Sequence, residues 1–328
     1  MPTPILICDD SSFARKQVAR ALPNTIEASI SYATNGAEAL VALRAGKGGM
    51  LFLDLNMPVM DGYEVLQAIR DENLHSLVIV ISGDIQPEAY LRVLELGALE
   101  FIKKPVDSEK LSEIMVKYGL KSATTDAPGV QVNTDIWDCY AEVANIAMGR
   151  AADLLARLLG TFVQMPVPKL KMIQSSELNK TITVLDKYEN ISVVSQGFIG
   201  FGIAGEALLI FNESSFTDIA ELMHYDSVVD EAAKIELLMD IGSIMIGAFL
   251  KGISSQLDIT FSQGSPSILD RRVTMQTLKD CPKARSQQLL AIELRIALEG
   301  KNIKANLLLL FTEDSIEPLN QIVSVLAA

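Results

Sequence analysis

Cysteine, histidine and tryptophan are scarce: the 328 residues include three, two and one of them. Cys8, Cys139 and Cys281 are widely spaced and odd in number. With only His75 and His224 beside them they offer no zinc-binding frame. They read as reduced thiols, as expected of a cytoplasmic protein. Basic residues are also short, 28 against 41 acidic ones, for a net charge of −13. Both halves of the chain are acidic, which argues against a nucleic-acid partner. Long apolar runs are missing as well. Leu77–Ile81 and Leu307–Phe311 are strand-sized, so no membrane insertion is expected. Met1–Cys8 lacks the basic start of a signal peptide. What remains is a globular composition, 49% hydrophobic and 21% charged, long enough for two domains with their own cores.

From Pro4 to Leu120, short apolar runs alternate with amphipathic stretches. Ile5–Cys8, Ile26–Tyr32, Met50–Leu53, Leu77–Ile81 and Glu100–Ile102 read as strands, with helices starting near Ser11, Gly36, Gly62, Pro87 and Ser108. Five βα units predict an α/β doubly wound, five-stranded parallel sheet over residues 1–120. Its ligands would bind beyond the carboxyl ends of the strands. The small, polar segment 121–130 reads as a linker. Residues 131–328 show a long helix from Thr134 to about Leu159, strands over Pro166–Ile173 and Ile191–Phe211, and a helix near Glu213–Met223. A second long helix follows at Asp230–Leu250, then strands at Asp258–Gln263, Leu289–Leu298 and Ile303–Phe311, and a closing helix from Glu313. That order predicts an α+β domain with two long pseudo-symmetric helices on a largely antiparallel sheet.

In the first half, Asp9 and Asp10 follow the first strand, Asp54 the third, Ser82 ends the fourth, and Lys104 follows the fifth before Pro105. A doubly wound sheet brings these ends together. Carboxylates so close repel one another unless a cation sits among them, and hard oxygen ligands suit Mg²⁺. A lysine and a hydroxyl beside them would hold phosphoryl oxygens, with Asp54 as acceptor. The set Asp9-Asp10, Asp54 in LDLNMPVMDG, Ser82-Gly83 and Lys104-Pro105 resembles a response-regulator receiver domain of the CheY type. The resemblance implies phosphorylation of Asp54 by a histidine kinase. It implies Mg²⁺ held by Asp9, Asp10, Asp54 and the backbone carbonyl of Asn56, and a switch pair formed by Ser82 and Phe101.

The second half repeats a frame. Asp138-x3-Glu142-x2-Asn145 is followed after 22 residues by Pro168, and Glu236-x3-Asp240-x2-Ser243 after 22 residues by Pro266. The spacing places Asp138, Glu142 and Asn145 on one helix face. They form no nucleophile, but a glutamate can pair with a cation and a carboxamide can orient water at phosphorus. Through DCYAEVANIAMGRAADLLARLL…MPVP and LLMDIGSIMIGAFL…GSP the region resembles the CheC/CheX/FliY family of CheY-phosphate phosphatases. The resemblance implies that Glu142 pairs with the pocket lysine of a phosphorylated receiver. Asn145 would align the attacking water, and Asp138 would support the helix face. Asp240 and Ser243 fall short of Glu and Asn in reach, so the second copy is expected to be a degenerate site. The substrate is either a separate phosphorylated CheY-like receiver or the chain's own. The alternative is a non-catalytic adaptor that binds phosphorylated receivers or chemotaxis and motor components. Homodimerisation is open, through the receiver or the second domain's sheet.

Pro168 and Pro266 are expected to shape the starts of strands. Gly200-Phe201-Gly202-Ile203-Ala204-Gly205 satisfies G-x-G-x-x-G. It lies between strand-like runs rather than before a helix, so it reads as a hairpin and not as a dinucleotide site.

Overall fold

The structure, a computed structural model, describes residues 2–23, 28–118, 135–174, 191–225, 230–269 and 288–327. The linker 121–130 and Cys281 lie outside them. Apart from its last two residues, the chain divides into two compact units, Met1–Gly149 and Arg150–Leu326.

The first unit alternates β1 (Thr3–Cys8), α1 (Ser12–Ala21), β2 (Ala28–Ala33), α2 (Gly36–Arg44), β3 (Met50–Leu53), α3 (Gly62–Asp71), β4 (Leu77–Ser82), α4 (Pro87–Glu95), β5 (Glu100–Lys103) and α5 (Ser108–Lys117). The strands are parallel in the order β2-β1-β3-β4-β5. Both faces of the sheet are covered. Leu6, Leu51, Leu53, Val78 and Val80 pack on one side, and Ile5, Ile7, Phe52, Ile79 and Ile81 on the other. That is why these strands read as continuous apolar runs instead of alternating ones. Short polar residues fix where the helices begin. Ser11 accepts from the Ala14 amide, Asn35 from Glu38, and Asp61 forms a capping box with Glu64. The strand order reverses between β1 and β3, and Asp9 and Asp54 immediately follow those two strands.

Helix α6 (Ile136–Leu159) begins in the first unit and ends in the second. The second unit continues with β6 (Val163–Gln164), β7 (Lys169–Gln174), β8 (Ile191–Gly200), β9 (Ile203–Asn212), α7 (Phe216–Leu222) and α8 (Glu231–Leu257). It then adds β10 (Ser262–Gln263), β11 (Ser267–Leu269), β12 (Gln288–Leu298), β13 (Lys304–Phe311) and α9 (Glu313–Ala327). All eight strands belong to one antiparallel sheet. Hairpins β8–β9 and β12–β13 meet along β9 and β13, with Leu208 opposite Leu308. The short strands β6 and β7 pair with β12, while β10 and β11 pair with β8. Each half of the repeat therefore lends its short strands to the long hairpin of the other. Pro168 and Pro266 stand immediately before β7 and β11, one in each half.

Two stretches differ from the sequence reading. Helix α8 runs on to Leu257 because Ile253 and Leu257 are buried on its inner face, and Asp258 ends it with φ 53°. The strand expected from Asp258 is reduced to Ser262–Gln263. By length and composition α8 could cross a membrane, but 61% of its apolar window is buried inside the fold. The inner face packs closely enough that a Cβ on Gly242 would lie 2.8 Å from Val194 Cγ1.

The G-x-G-x-x-G run is the β8–β9 hairpin. Its two central residues, Phe201 and Gly202, have φ 56° and 78°, a type I′ pattern in which phenylalanine is strained and asparagine is at home. Phe201→Asn is expected to stabilise the protein by about 0.5–1 kcal/mol. A urea denaturation midpoint unchanged or lowered by the substitution would contradict this reading of the turn.

Candidate functional site

Inside the first unit, the carboxyl ends of β1 and β3 and the segment after β5 converge on one ammonium. Lys104 Nζ lies 2.7 Å from Asp9 Oδ2, 3.2 Å from Asp54 Oδ1 and 3.2 Å from Glu142 Oε1. The first three residues come from the sheet edge. The fourth comes from the first turns of α6, which cluster with the first unit. All four are buried: Asp54 and Glu142 are each 1% exposed, Asp9 3% and Lys104 5%. Burying charge is costly unless it is paired, and here a single cation answers three carboxylates.

The surrounding backbone fixes the carboxylates. The Ser11 amide donates to Asp9 Oδ1 at 2.9 Å and the Asn56 amide to Asp54 Oδ2 at 3.0 Å. The Arg15 guanidinium donates to the main-chain carbonyls of Asp9 and Asp10. Ser82 is fully buried and its hydroxyl accepts from the Asp84 amide at 3.1 Å. Phe101 is buried, with its ring edge-on to Tyr90. Carboxylate oxygens of Asp9, Asp10 and Asp54 lie within 4.8 Å of one another, an acidic pocket of the kind receivers use for Mg²⁺. Burial and the neighbouring Asp9 push Asp10 up to about 6, against the pull of Lys104. Burial raises Asp54 well above the carboxylate range, with Lys104 opposing it. Burial works against the Lys104 ammonium too. Asp54, Asp9 and Glu142 outweigh it and hold the lysine well above its ordinary value.

Helix α6 is seated by three contacts. Glu142 meets Lys104, as above. One turn earlier, the Ser12 hydroxyl at the start of α1 donates to the Asp138 carboxylate. Over the next two turns, the backbones come together. A Cβ on Gly149 would fall 1.9 Å from the Gly83 carbonyl oxygen, and a Cβ on Gly83 would fall 3.0 Å from Ile146 Cα. Position 149 requires glycine for this approach, and a Cβ at position 83 would press on the α6 backbone. Asn145 lies between these contacts, 4% exposed, and its Oδ1 is buried without a hydrogen-bond donor among the described residues. A buried amide oxygen of this kind calls for a donor such as water. The sequence-predicted residues Asp9, Asp54, Lys104 and Glu142 are thus brought into contact. Asp138 and Asn145 flank the contact on the same helix.

The second copy differs. On α8, Glu236 and Asp240 are exposed and Ser243 is half-buried, and no comparable cluster surrounds them among the described residues. Ser12, Arg15, Gly83 as a close-packing residue, and Gly149 were not singled out by sequence reasoning. A glycine in the middle of a 24-residue helix was the available signal for Gly149.

Comparison with known proteins locates the first part of the chain. Residues 5–116 match the response regulator receiver domain family. A protein-glutamate methylesterase/protein-glutamine glutaminase from Geobacter sulfurreducens is 36% identical over 102 residues, which are 31% of this chain and 27% of that protein. The chain thus spans little more than a quarter of that relative's length. Among solved structures, Thermotoga maritima FliY covers 60% of this chain and 98% of its own at 18% identity and TM-score 0.43. A chain of the CheX-CheY-BeF3-Mg²⁺ complex from Borrelia burgdorferi covers 36% of this chain and 90% of its own, at 31% identity and TM-score 0.34.

Burial, opposed by Lys104, raises Glu142 from 4.5 up to about 7. A carboxyl whose folded pKa exceeds its unfolded one binds extra protons when folded, so its contribution to stability falls as pH rises between those values. In Mg²⁺-free buffer the urea midpoint is expected to drop between pH 5 and pH 7.5, and Glu142→Gln to lessen the drop. An equal or steeper drop in Glu142→Gln would show that Glu142 is not the titrating group.

Proposed function

We propose that this chain, whose residues 5–116 are a response regulator receiver domain, is a self-resetting signalling switch. Asp54 accepts a phosphoryl group from a histidine kinase, and the face of α6 removes it. The observation that carries this reading is the ion pair between Lys104 and Glu142, with Asn145 one turn further along the same buried helix face.

Asp9, Asp10, Asp54 and the carbonyl of Asn56 would hold Mg²⁺. Clustered carboxylate oxygens with raised proton affinity fit a hard divalent cation. When bound, it neutralises charge on the phosphoryl oxygens. In the forward step the Asp54 carboxylate oxygen attacks phosphorus and the phosphohistidine nitrogen leaves. Lys104 and the Ser82 hydroxyl would then bind the phosphoryl oxygens. In the reset step, Asn145 holds a water through its carboxamide, in line with the bond between phosphorus and Asp54. The water oxygen bonds to phosphorus, the Asp54 carboxylate departs with the bonding pair, and the water's proton is released with inorganic phosphate. Glu142 takes no proton in this scheme. It anchors α6 to Lys104 so that Asn145 is aligned, and Asp138 adds its contact with Ser12. Most of the rate enhancement therefore comes from positioning.

The same geometry favours the chain's own receiver as substrate. Glu142 is engaged with the lysine of its own chain, so the phosphate removed is that on its own Asp54. With α6 seated, Asp54 is 1% exposed, so phosphotransfer from a kinase requires the start of α6 to lift. Hydrolysis follows when it reseats.

With the protein phosphorylated by a small acyl-phosphate donor, Asn145→Ala is expected to slow phosphate loss from Asp54 about 10²-fold, and Glu142→Ala to slow it comparably. Phosphate release can be followed with a phosphate sensor after rapid removal of the donor. Unchanged half-lives in both variants would overturn the assignment.

A further inference from the structure

Glu142 and Asn145 set the chemistry of α6 but not its choice of receiver. A lysine beside a phospho-aspartate is what the reset acts on, and those groups cannot tell one phosphorylated receiver from another. Discrimination has to come from a contact away from them. The tightest such contact lies between Gly149 on α6 and the peptide that joins Gly83 to Asp84. A Cβ on Gly149 would fall 1.9 Å from the Gly83 carbonyl oxygen, 2.2 Å from its carbon and 2.6 Å from the Asp84 nitrogen. From the other side, a Cβ on Gly83 would fall 3.0 Å from Ile146 Cα and 3.2 Å from the Asn145 carbonyl oxygen. Any side chain at position 83 therefore presses on the backbone of Asn145 itself.

Both sides of this approach are stiff. The fully buried Ser82 precedes Gly83, and its hydroxyl accepts from the Asp84 amide at 3.1 Å. The Asp84 carboxylate in turn accepts from the Gln86 amide at 3.1 Å and from the Gln86 side-chain nitrogen at 3.1 and 3.2 Å. Asp84 is 7% exposed and Gln86 0%, so the loop is held by its own hydrogen bonds inside the fold. On α6, the side chains of Ile146, Ala147 and Met148 are all buried. Packing of this density transmits an added methyl group instead of absorbing it.

We propose that positions 83 and 149 form a size gate that selects the receiver α6 resets: one with glycine directly after the hydroxyl residue at the end of its fourth strand. This chain meets that condition within itself. A receiver with a branched or larger side chain there would present the same lysine and the same phosphate and still be refused. Its side chain would push Asn145 away from phosphorus. Gly83 and Gly149 are positioning residues, since neither touches the phosphoryl group. The inference rests on the reset proposed above and adds the feature that selects its substrate.

The test uses the full chain, phosphorylated on Asp54 by a small acyl-phosphate donor, with substitutions at position 83 standing in for receivers that differ there. Gly83→Ala is expected to slow phosphate loss about fivefold, and Gly83→Val about 10²-fold, to the rate of Asn145→Ala. Labelling of Asp54 by the donor should become faster in Gly83→Val, because α6 no longer stays seated. Damage to the pocket would slow both steps. Gly149→Ala should behave like Gly83→Val, although alanine is the better helix former. Trp137, the only tryptophan, lies in the first turn of α6 with its ring centroid 6.1 Å from that of Tyr140, so its emission reports the seating. Unchanged phosphate loss in Gly83→Val would overturn the gate, and so would slowed labelling together with slowed loss. If Asn145→Ala leaves phosphate loss unchanged, it is the reset that fails. The gate then stands if Gly83→Val alters Trp137 emission and speeds labelling, and falls if it does neither.

Discussion

The first unit is organised around one buried ammonium. Lys104 contacts Asp9, Asp54 and Glu142, three carboxylates from three different parts of the chain. In a site from which water is largely excluded, such a group cannot be left half-paired at small cost. The lysine binds the sheet edge to α6, and the surplus of negative charge makes the pocket receptive to a divalent cation or a phosphoryl group coordinated by one. The same electrostatic arrangement seats the helix and, on the proposed function, would serve metal binding and phosphoryl chemistry as well. A change in charge at Asp54 is felt at Glu142 through the lysine they share.

Packing translates that electrostatic attachment into alignment. The Lys104–Glu142 pair alone would allow α6 to pivot. The Ser12–Asp138 hydrogen bond one turn before it and the Gly83–Gly149 approach two turns after it define the helix's rotation. Asn145 falls inside that span, where the proposed function needs its carboxamide held. Each half completes its sheet with the other's long hairpin, so the second helix is structurally required whether or not it is chemically active.

Much of this was legible in the residues. Continuous apolar runs bounded by Asp9, Asp54, Ser82 and Lys104 specified a parallel sheet with its site at the strand ends, because the period and the turn residues agreed. The recurring frame specified two equivalent helices, and the loss of Glu and Asn marked which one was altered. The seating of α6 on its own chain was not legible. It depends on a contact between residues about forty positions apart, across a segment whose sequence says nothing of path, and on the absence of a side chain at Gly149. Neither a missing Cβ nor a hydroxyl such as Ser12 has a distinctive sequence pattern. The end of α8 was missed because Ile253 and Leu257 are buried by tertiary packing beyond the point where the helical pattern weakened.

Complementation between chains tests the central claim most directly. An Asn145→Ala chain is phosphorylated on Asp54 and mixed with an excess of unphosphorylated Asp54→Ala chain, whose α6 is intact. Action within one chain predicts that the slow phosphate loss of Asn145→Ala stays slow at every ratio, and that loss from the unaltered protein has the same half-life at all dilutions. Restoration of fast hydrolysis by the added chain would contradict it and make α6 an agent that acts on its neighbours.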